Sequence, residues 1–328
     1  MPPERETGSG EDRLIARFFA PLATAPGALG LSDDAAFIKP PAGHDLVLTT
    51  DALVEGVHFF ADDPADSLAQ KGMRVNLSDL AAKGARPLGF LLSLALTEKT
   101  KDLWLESFAR GLRRDIDTFA CPLFGGDTVK SPGPVMINVA MFGAVPEGTM
   151  VRRSGARPGD TVLVSGTVGD AALGLLVRQS RLSLSAEHGD HVVSRYLLPQ
   201  PRNALADAVR AHASAAMDVS DGLIGDLAKL CAASGVAAEI DIAKMPFSLA
   251  VRDAVRADPK LMEPAVTGGD DYEILCTAPR GEAVKLMAAA AKAGIALTQI
   301  GSVQPGEGVR AIDQGREIAF ERRAFSHF

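Results

Sequence analysis

Residues 46–51 read Leu46-Val47-Leu48-Thr49-Thr50-Asp51, an aliphatic and β-branched run that closes on a carboxylate. A run of this kind and length reads as a strand. The period then changes. Leu68, Met73, Leu77 and Leu80 recur at roughly helical spacing, so the sequence predicts a helix capped by Ser67 and running to about Lys83. Residues 88–96 and 135–144 return to continuous apolar runs and read as buried strands. Between them, residues 101–119 read as an amphipathic helix with Leu103, Phe108, Leu112 and Ile116 on its inner side. Strands alternating with helices point to an α/β or α+β class.

Outward from this core, residues 14–19 form a short apolar segment before a Pro-, Ala- and Gly-rich loop. On the other side, Pro146-Glu147-Gly148 breaks the pattern and sets the boundary between two expected domains, 1–147 and 148–328. Beyond it the reading gives a strand at 161–165, a helix at 170–180, a polar loop through 187–190 and a helix after Pro201. A small-residue strand ends at Asp218 and a helix spans 223–233. Strands at 238–242 and 272–277 and a helix at 281–293 follow.

The bulk numbers bound the function. A chain of 328 residues with 47% hydrophobic and 23% charged content suffices for two core-forming domains. Its net charge of −7 argues against a broad electrostatic grip on nucleic acid or an anionic membrane. Cys121, Cys231 and Cys276 are widely spaced, which fits buried free thiols better than disulfides or a zinc site. The polar start lacks the apolar segment of a signal peptide, and no apolar stretch is long enough for a membrane helix. The expectation is a soluble, cytoplasmic protein.

The chemistry lies in a recurrent arrangement, an Asp beside Gly, Ser or Thr at a strand end or helix start. It occurs at Asp33-Asp34, Thr49-Thr50-Asp51, Asn76-Leu77-Ser78-Asp79, Gly125-Gly126-Asp127-Thr128, Asp218-Val219-Ser220-Asp221-Gly222 and Gly268-Gly269-Asp270-Asp271-Tyr272-Glu273. One such Asp is ordinarily a turn or a helix cap, and Asp221-Gly222 ahead of an apolar helix fits a cap well. Six together are hard to explain as turns. Asp79 also falls inside an apolar helical window, where a carboxylate is costly unless paired or metal-bound. Mg²⁺ takes hard oxygen ligands and usually combines a few carboxylates with water and substrate phosphates. An acidic protein that handles anionic phosphates would use such ions as the bridge. The Arg152-Arg153 pair is placed to reach phosphate, or is a solvated surface pair; His58 is a site residue or a structural one. The glycines of residues 166–174 open a helix entry that binds phosphate or lets the helix pack closely. The chain has neither the P-loop motif nor the protein-kinase signature set.

In order and spacing these motifs resemble the thiamine-monophosphate kinase family, within the superfamily of aminoimidazole ribonucleotide synthetase and selenophosphate synthetase. Further matches are Asp33-Asp34-Ala35-Ala36, residues 52–59 through His58, residues 80–85, residues 153–160 and the closing Phe325-Ser326-His327-Phe328. The resemblance implies a two-domain aminoimidazole ribonucleotide synthetase-like fold, α/β (α+β), with an amino-terminal domain that pairs in a homodimer and a carboxy-terminal α+β domain. It implies in-line transfer from ATP, as co-substrate, to thiamine monophosphate, with several Mg²⁺ ions and no protein nucleophile. The implied metal ligands are Asp34, Thr49, Thr50, Asp51, Asp79, Asp127, Asp218 and Asp221. Gly126, Asp127, Arg153 and Ser220 would contact ATP, Asp127 being the one candidate for a catalytic side chain. His58, Asp270 and Phe325 would line the thiamine phosphate site. At Asp270 the family more often has Glu, so the acid here is one methylene shorter. The alternatives are a relative with another phosphate acceptor, or a non-catalytic nucleotide-binding protein. Against two superfamily members, the first cysteine is as late as Cys121 and the chain does not end in cysteine.

Overall fold

The computed structural model describes residues 13–320 and 324. These fall into two compact units: one of residues up to Asn76 together with Pro87–Ala144, the other of Leu77–Arg86 together with the chain from Val145. The division at Val145 lies beside the Pro146 break, while residues 77–86 group with the later unit, a feature no composition signal marked.

The first unit holds β1 (His44–Val54), most of α1 (Ala65–Ala82), β2 (Arg86–Leu96), α2 (Asp102–Phe119), β3 (Leu123–Lys130) and β4 (Met136–Pro146). Its strands form one sheet in the order β1-β4-β2-β3, with β2 and β3 parallel. Strand side chains alternate between faces. Leu53, Ile137 and Val139 face α1, where a Cβ on Gly72 would lie 3.3–3.9 Å from all three. The other side of β1 carries Leu46 and Leu48, 42% and 67% exposed. Helix α1 begins at Ala65, directly after Pro64, so Ser67 lies inside it and is not its cap. In α2 the buried stripe is Leu105, Phe108, Leu112 and Ile116; Leu103 stands two residues out of that phase and is 78% exposed. Strand β3 is an addition to the sequence reading, because Gly125 and Gly126 look like a turn. A Cβ at Gly126 would sit 1.8 Å from the Leu92 carbonyl oxygen, so glycine is what lets β3 lie there.

The second unit holds β5 (Thr161–Ser165), α3 (Asp170–Arg178), α4 (Ala186–Leu197), α5 (Ala206–His212), β6 (Ala215–Asp218), α6 (Leu223–Ser234) and β7 (Ala237–Asp241). It continues through α7 (Leu249–Ala257), α8 (Met262–Thr267), β8 (Ile274–Ala278), α9 (Arg280–Lys292), β9 (Leu297–Gln304), β10 (Gly308–Asp313) and β11 (Arg316–Ile318). The sheet order is β11-β10-β7-β9-β5-β8-β6, antiparallel except where β10 runs parallel to β7. β5, β6 and β8 are buried along their whole length, which is why their sequences are nearly all apolar. Val162, Val164, Met217 and Leu275 pack with Leu223, Leu227 and Leu230 of α6. Leu163, Ala216 and Cys276 pack with Val209 of α5 and Leu286 of α9. Residues 187–190 are the polar first turn of α4, not a loop; the Ser185 hydroxyl caps the turn by accepting from the His188 amide at 3.3 Å. Helices α7 and α8 were not read from the sequence. All three cysteines are free and buried, and burial pushes the Cys121 and Cys276 thiols up to about 12. Among the described residues no helix is long and apolar enough to cross a membrane.

Candidate active site

In the first unit a cavity of about 870 Å³ opens on the exposed sheet face. Register fixes much of its floor: Leu91 pairs with Gly125 and Ser93 with Asp127, so Leu91, Ser93 and Asp127 share a side of the sheet. Leu46, Leu48 and Phe142 extend the apolar floor, and Asp33, Asp34 and Ile38 line it from the segment before β1. The Asp33 carboxylate accepts from the Asp34 amide at 2.8 Å, a local turn that leaves Asp34 on the cavity wall. Asp33, Asp34 and Asp127 are all exposed. Alternation along β1 puts Thr50 on the side of Leu46 and Leu48, and Thr49 and Asp51 on the side of buried Val47 and Leu53. The Thr50 hydroxyl is held by the Val139 carbonyl and Asn138 Oδ1, both at 3.1 Å. His58 follows in the turn after β1. Its Nδ1 accepts from the Val54 amide at 3.0 Å, and its carbonyl accepts from Lys71 Nζ at 3.2 Å.

The second unit gathers a different acidic set. The Asp270 and Tyr272 amides donate to the Ser220 and Val219 carbonyls, and the Val219 amide donates to the Glu273 carbonyl, all at 2.8–2.9 Å. These bonds lay residues 270–273 against residues 218–221. The Ser78 hydroxyl donates to the Tyr272 carbonyl at 3.3 Å, which brings in the turn of helix bearing Asp79. Lys83, one turn on, is half-buried and donates to the Ala216 carbonyl at 2.7 Å. Burial, then the Arg153 charge, pulls its pKa below the ordinary lysine value, while Asp218 and Asp79 oppose the drop. Arg153 itself is exposed, on a segment whose carbonyl accepts from the Ser234 hydroxyl at 3.0 Å. Asp221 does not cap α6. The buried Asp226 carboxylate reaches back to accept from both the Ser220 and Asp221 amides at 2.9 Å. Lys229 bridges Asp221 at 2.5 Å and Asp226 at 2.8 Å. Burial raises the Asp226 pKa against the pull of Lys229; the Lys229 pKa is raised in turn, its two carboxylates outweighing its own partial burial.

Both halves of the chain match known families along their length. Residues 32–145 match the N-terminal domain, and residues 157–314 the C-terminal domain, of AIR synthase related proteins. The thiamine-monophosphate kinase of Caulobacter vibrioides is 42% identical over 95% of this chain and 89% of its own. The chain belongs to the thiamine-monophosphate kinase family. Among solved structures, the thiamine-monophosphate kinase of Stenotrophomonas maltophilia superposes with a TM-score of 0.82 at 38% identity, covering 94% of this chain and 96% of its own. The structure described as AaThiL complexed with AMPPCP and TMP gives a TM-score of 0.78 at 33% identity, covering 90% and 91%. The fold is therefore the AIR synthase-like two-domain fold, and the chain is an enzyme of the thiamine-monophosphate kinase family.

Of the residues that the family resemblance singles out, Asp34, Gly126 and Asp127 line one cavity of the first unit, and Thr49, Thr50, Asp51 and His58 sit on or just after β1 outside its lining. Asp79, Arg153, Asp218, Ser220, Asp221 and Asp270 belong to the second unit. Phe325 lies outside the described residues. Asp127 sits inside β3 and not at a strand end. Among the described residues no group of three or more His, Cys, Asp or Glu side chains is set to hold a metal ion by itself. The two readings of the helix entry at residues 166–174 are now decided. The amides at the start of α3 are taken by the Asp271 carboxylate, from Gly169 at 2.7 Å and Ala171 at 3.4 Å, so the glycine-marked entry is not a phosphate cradle. Close packing explains its glycines: a Cβ at Gly174 would lie 2.2 Å from the Val192 carbonyl oxygen. Sequence reasoning passed over Asp226 and Lys229, and gave no role to Lys83, Asp271 and Glu273, which it quoted only within motifs. A carboxylate one helical turn into α6, with a lysine three residues on, was the signal available for the first two.

Proposed function

We propose that the chain transfers the γ-phosphate of ATP to thiamine monophosphate, giving thiamine diphosphate and ADP, in a Mg²⁺-dependent in-line displacement. The observation that carries the reading is the 870 Å³ cavity of the first unit, where Asp34, Gly126 and Asp127 meet an apolar floor of Leu46, Leu48, Leu91 and Phe142. It has the size of a small-molecule site, and it joins hard anionic oxygens to an apolar surface able to cover a base or ring. The donor chemistry fits Mg²⁺: carboxylates and hydroxyls only, with Asp34, Thr50 and Asp127 exposed, in the sparse sets that leave room for water and phosphate oxygens. When bound, such ions screen the charges of two phosphorylated substrates and of the transferring group.

On this reading Asp34, Thr49, Thr50, Asp51, Asp79, Asp127, Asp218 and Asp221 hold the metal ions. Gly126, Asp127, Arg153 and Ser220 bind ATP, while His58, Asp270 and Phe325 bind thiamine monophosphate. The acceptor is a phosphate oxygen already largely ionised near neutral pH, so no strong general base is required. His58 suits an orienting role, since its Nδ1 takes a backbone amide and its ring is thereby fixed. The enzyme would work in the cytoplasm as a homodimer. On this reading the second copy pairs over the sheet face that carries Leu46, Leu48 and Leu91, and so would roof the cavity whose floor they form. The test is incubation with ATP, Mg²⁺ and thiamine monophosphate followed by chromatography. Equal amounts of thiamine diphosphate and ADP, abolished by EDTA, are expected; a folded protein that binds ATP yet makes no thiamine diphosphate overturns the acceptor.

A further inference from the structure

The loop of residues 268–273 is built by alternation. Asp270 and Tyr272 are half-exposed and both adopt positive φ, +73° and +50°. Asp271 and Glu273 point the other way and are buried, 2% and 0% exposed. A non-glycine residue enters the left-handed region only when its surroundings enforce it. Two such residues, one on each side of Asp271, imply strong anchors between and beside them. Glu273 is one: Arg195 at 2.8 Å, Arg202 Nε at 2.6 Å and the Ser165 hydroxyl at 2.7 Å surround its carboxylate. Asp271 is another, added to the backbone bonds that Asp270 and Tyr272 make to residues 219–220, and it works at a distance of about a hundred residues in sequence. Gly169, the residue ahead of α3, has no side chain to cap that helix. The Asp271 side chain supplies the cap, its oxygens accepting from the amides at the start of the helix. Gly169 is itself at φ +84°, and a Cβ there would lie 2.7 Å from the Ala265 carbonyl oxygen. The turn that meets Asp271 is thus as constrained as the loop that bears it.

We propose that Asp271 is a positioning residue: by capping α3 it holds Asp270 in the left-handed conformation from which Asp270 meets the thiamine phosphate. The inference rests on the assignment of Asp270 to that substrate, and adds what sets its geometry. It also couples residues 166–171 to residues 268–273, so that ligand at the second segment is felt at the first.

The experiment is a double-mutant cycle read by calorimetry, with thiamine monophosphate titrated into protein holding Mg²⁺ and a non-hydrolysable ATP analogue. Asp270→Ala and Asp271→Ala are each expected to weaken thiamine monophosphate binding by about tenfold, with affinity for the ATP analogue unchanged. The double variant should be no weaker than the worse single one, and Asp271→Asn, which keeps an acceptor oxygen, should recover part of the loss. Additive losses, or equal weakening of nucleotide and thiamine monophosphate, overturn the proposal. Where Asp271→Ala does not fold, hydrogen exchange on the unaltered protein decides. Thiamine monophosphate must slow exchange in residues 166–171 together with 268–273, and slowing confined to the latter overturns the coupling. If the unaltered protein binds no thiamine monophosphate, the substrate assignment fails. The cap is then judged without ligand: Asp271→Asn must speed exchange at the Asp270 and Tyr272 amides while β8 stays protected, and unchanged exchange there overturns it.

Discussion

In the first unit Asp33, Asp34 and Asp127 stand exposed around a cavity, whereas in the second Asp226, Asp271 and Glu273 are buried, each tied to backbone amides or to cationic side chains. Both sets are runs of acid beside glycine or serine in the sequence. They differ in what answers the charge. Water and whatever ligand arrives answer it in the first unit; the protein's own donors answer it in the second. An exposed carboxylate at neutral pH costs little to keep and is available for bonding. A buried one must be matched internally, and its energy goes into fixing the backbone around it. The second unit therefore supplies shape to the loops that carry Asp218, Ser220, Asp221 and Asp270, while the first supplies an open site.

The sharpest way to break this contrast is Glu273→Ala. It leaves the part-buried Arg195 and Arg202 without their counter-charge, and urea denaturation should report a loss of about 3 kcal/mol. A loss under about 1 kcal/mol would mean the network is not structural. Asp127→Asn asks the opposite question. Thiamine diphosphate formation should fall on the order of a hundredfold, with stability changed by no more than about 0.5 kcal/mol. A destabilised but active variant would reverse the roles assigned to the two units. Leu48→Glu tests the exposed sheet face: sedimentation at micromolar concentration should show a dimer for the unaltered chain and mainly monomer for the variant. The smallest effect belongs to a surface pair. The hydrogen bond to Arg86, with Arg210 beyond it, holds the Asp207 carboxyl below its ordinary pKa. A depressed carboxylate stabilises the fold above the unfolded-state pKa, about 3.9, and that contribution disappears as pH falls through the folded-state value. Asp207→Asn should thus cost about 0.5 kcal/mol at neutral pH and nothing once the pH has fallen below that window.

The candidate site residues were named from the sequence one by one. The acidic motifs are local in sequence, and the family's order of motifs runs the length of the chain, so Asp34, Asp51, Asp127 and Asp221 stand out before any coordinates. The strands were legible for a similar reason: burial on both faces in the second unit demands unbroken apolar runs such as Thr161–Ser165. Legibility failed where one local pattern serves two structures. Gly125-Gly126-Asp127 has turn composition, yet it forms part of a strand, because the glycine lets β3 approach the Leu92 carbonyl. Residues 187–190 are polar because they are the solvent-facing first turn of a helix that buries only Val192 and Tyr196.

The sequence by itself determined the class of fold and the family, and it raised the expectation of a site built from oxygen donors. Only the tertiary structure decided which of the acids face a cavity and which serve the fold. Nothing within six residues of Asp271 distinguishes it from Asp270. The difference arises because Asp271 is turned toward two amide groups on α3, and Asp270 is left at the surface in a backbone conformation that its neighbour enforces. A carboxylate's role depends on what stands within about 3 Å of its oxygens, and for these residues those partners come from distant parts of the chain.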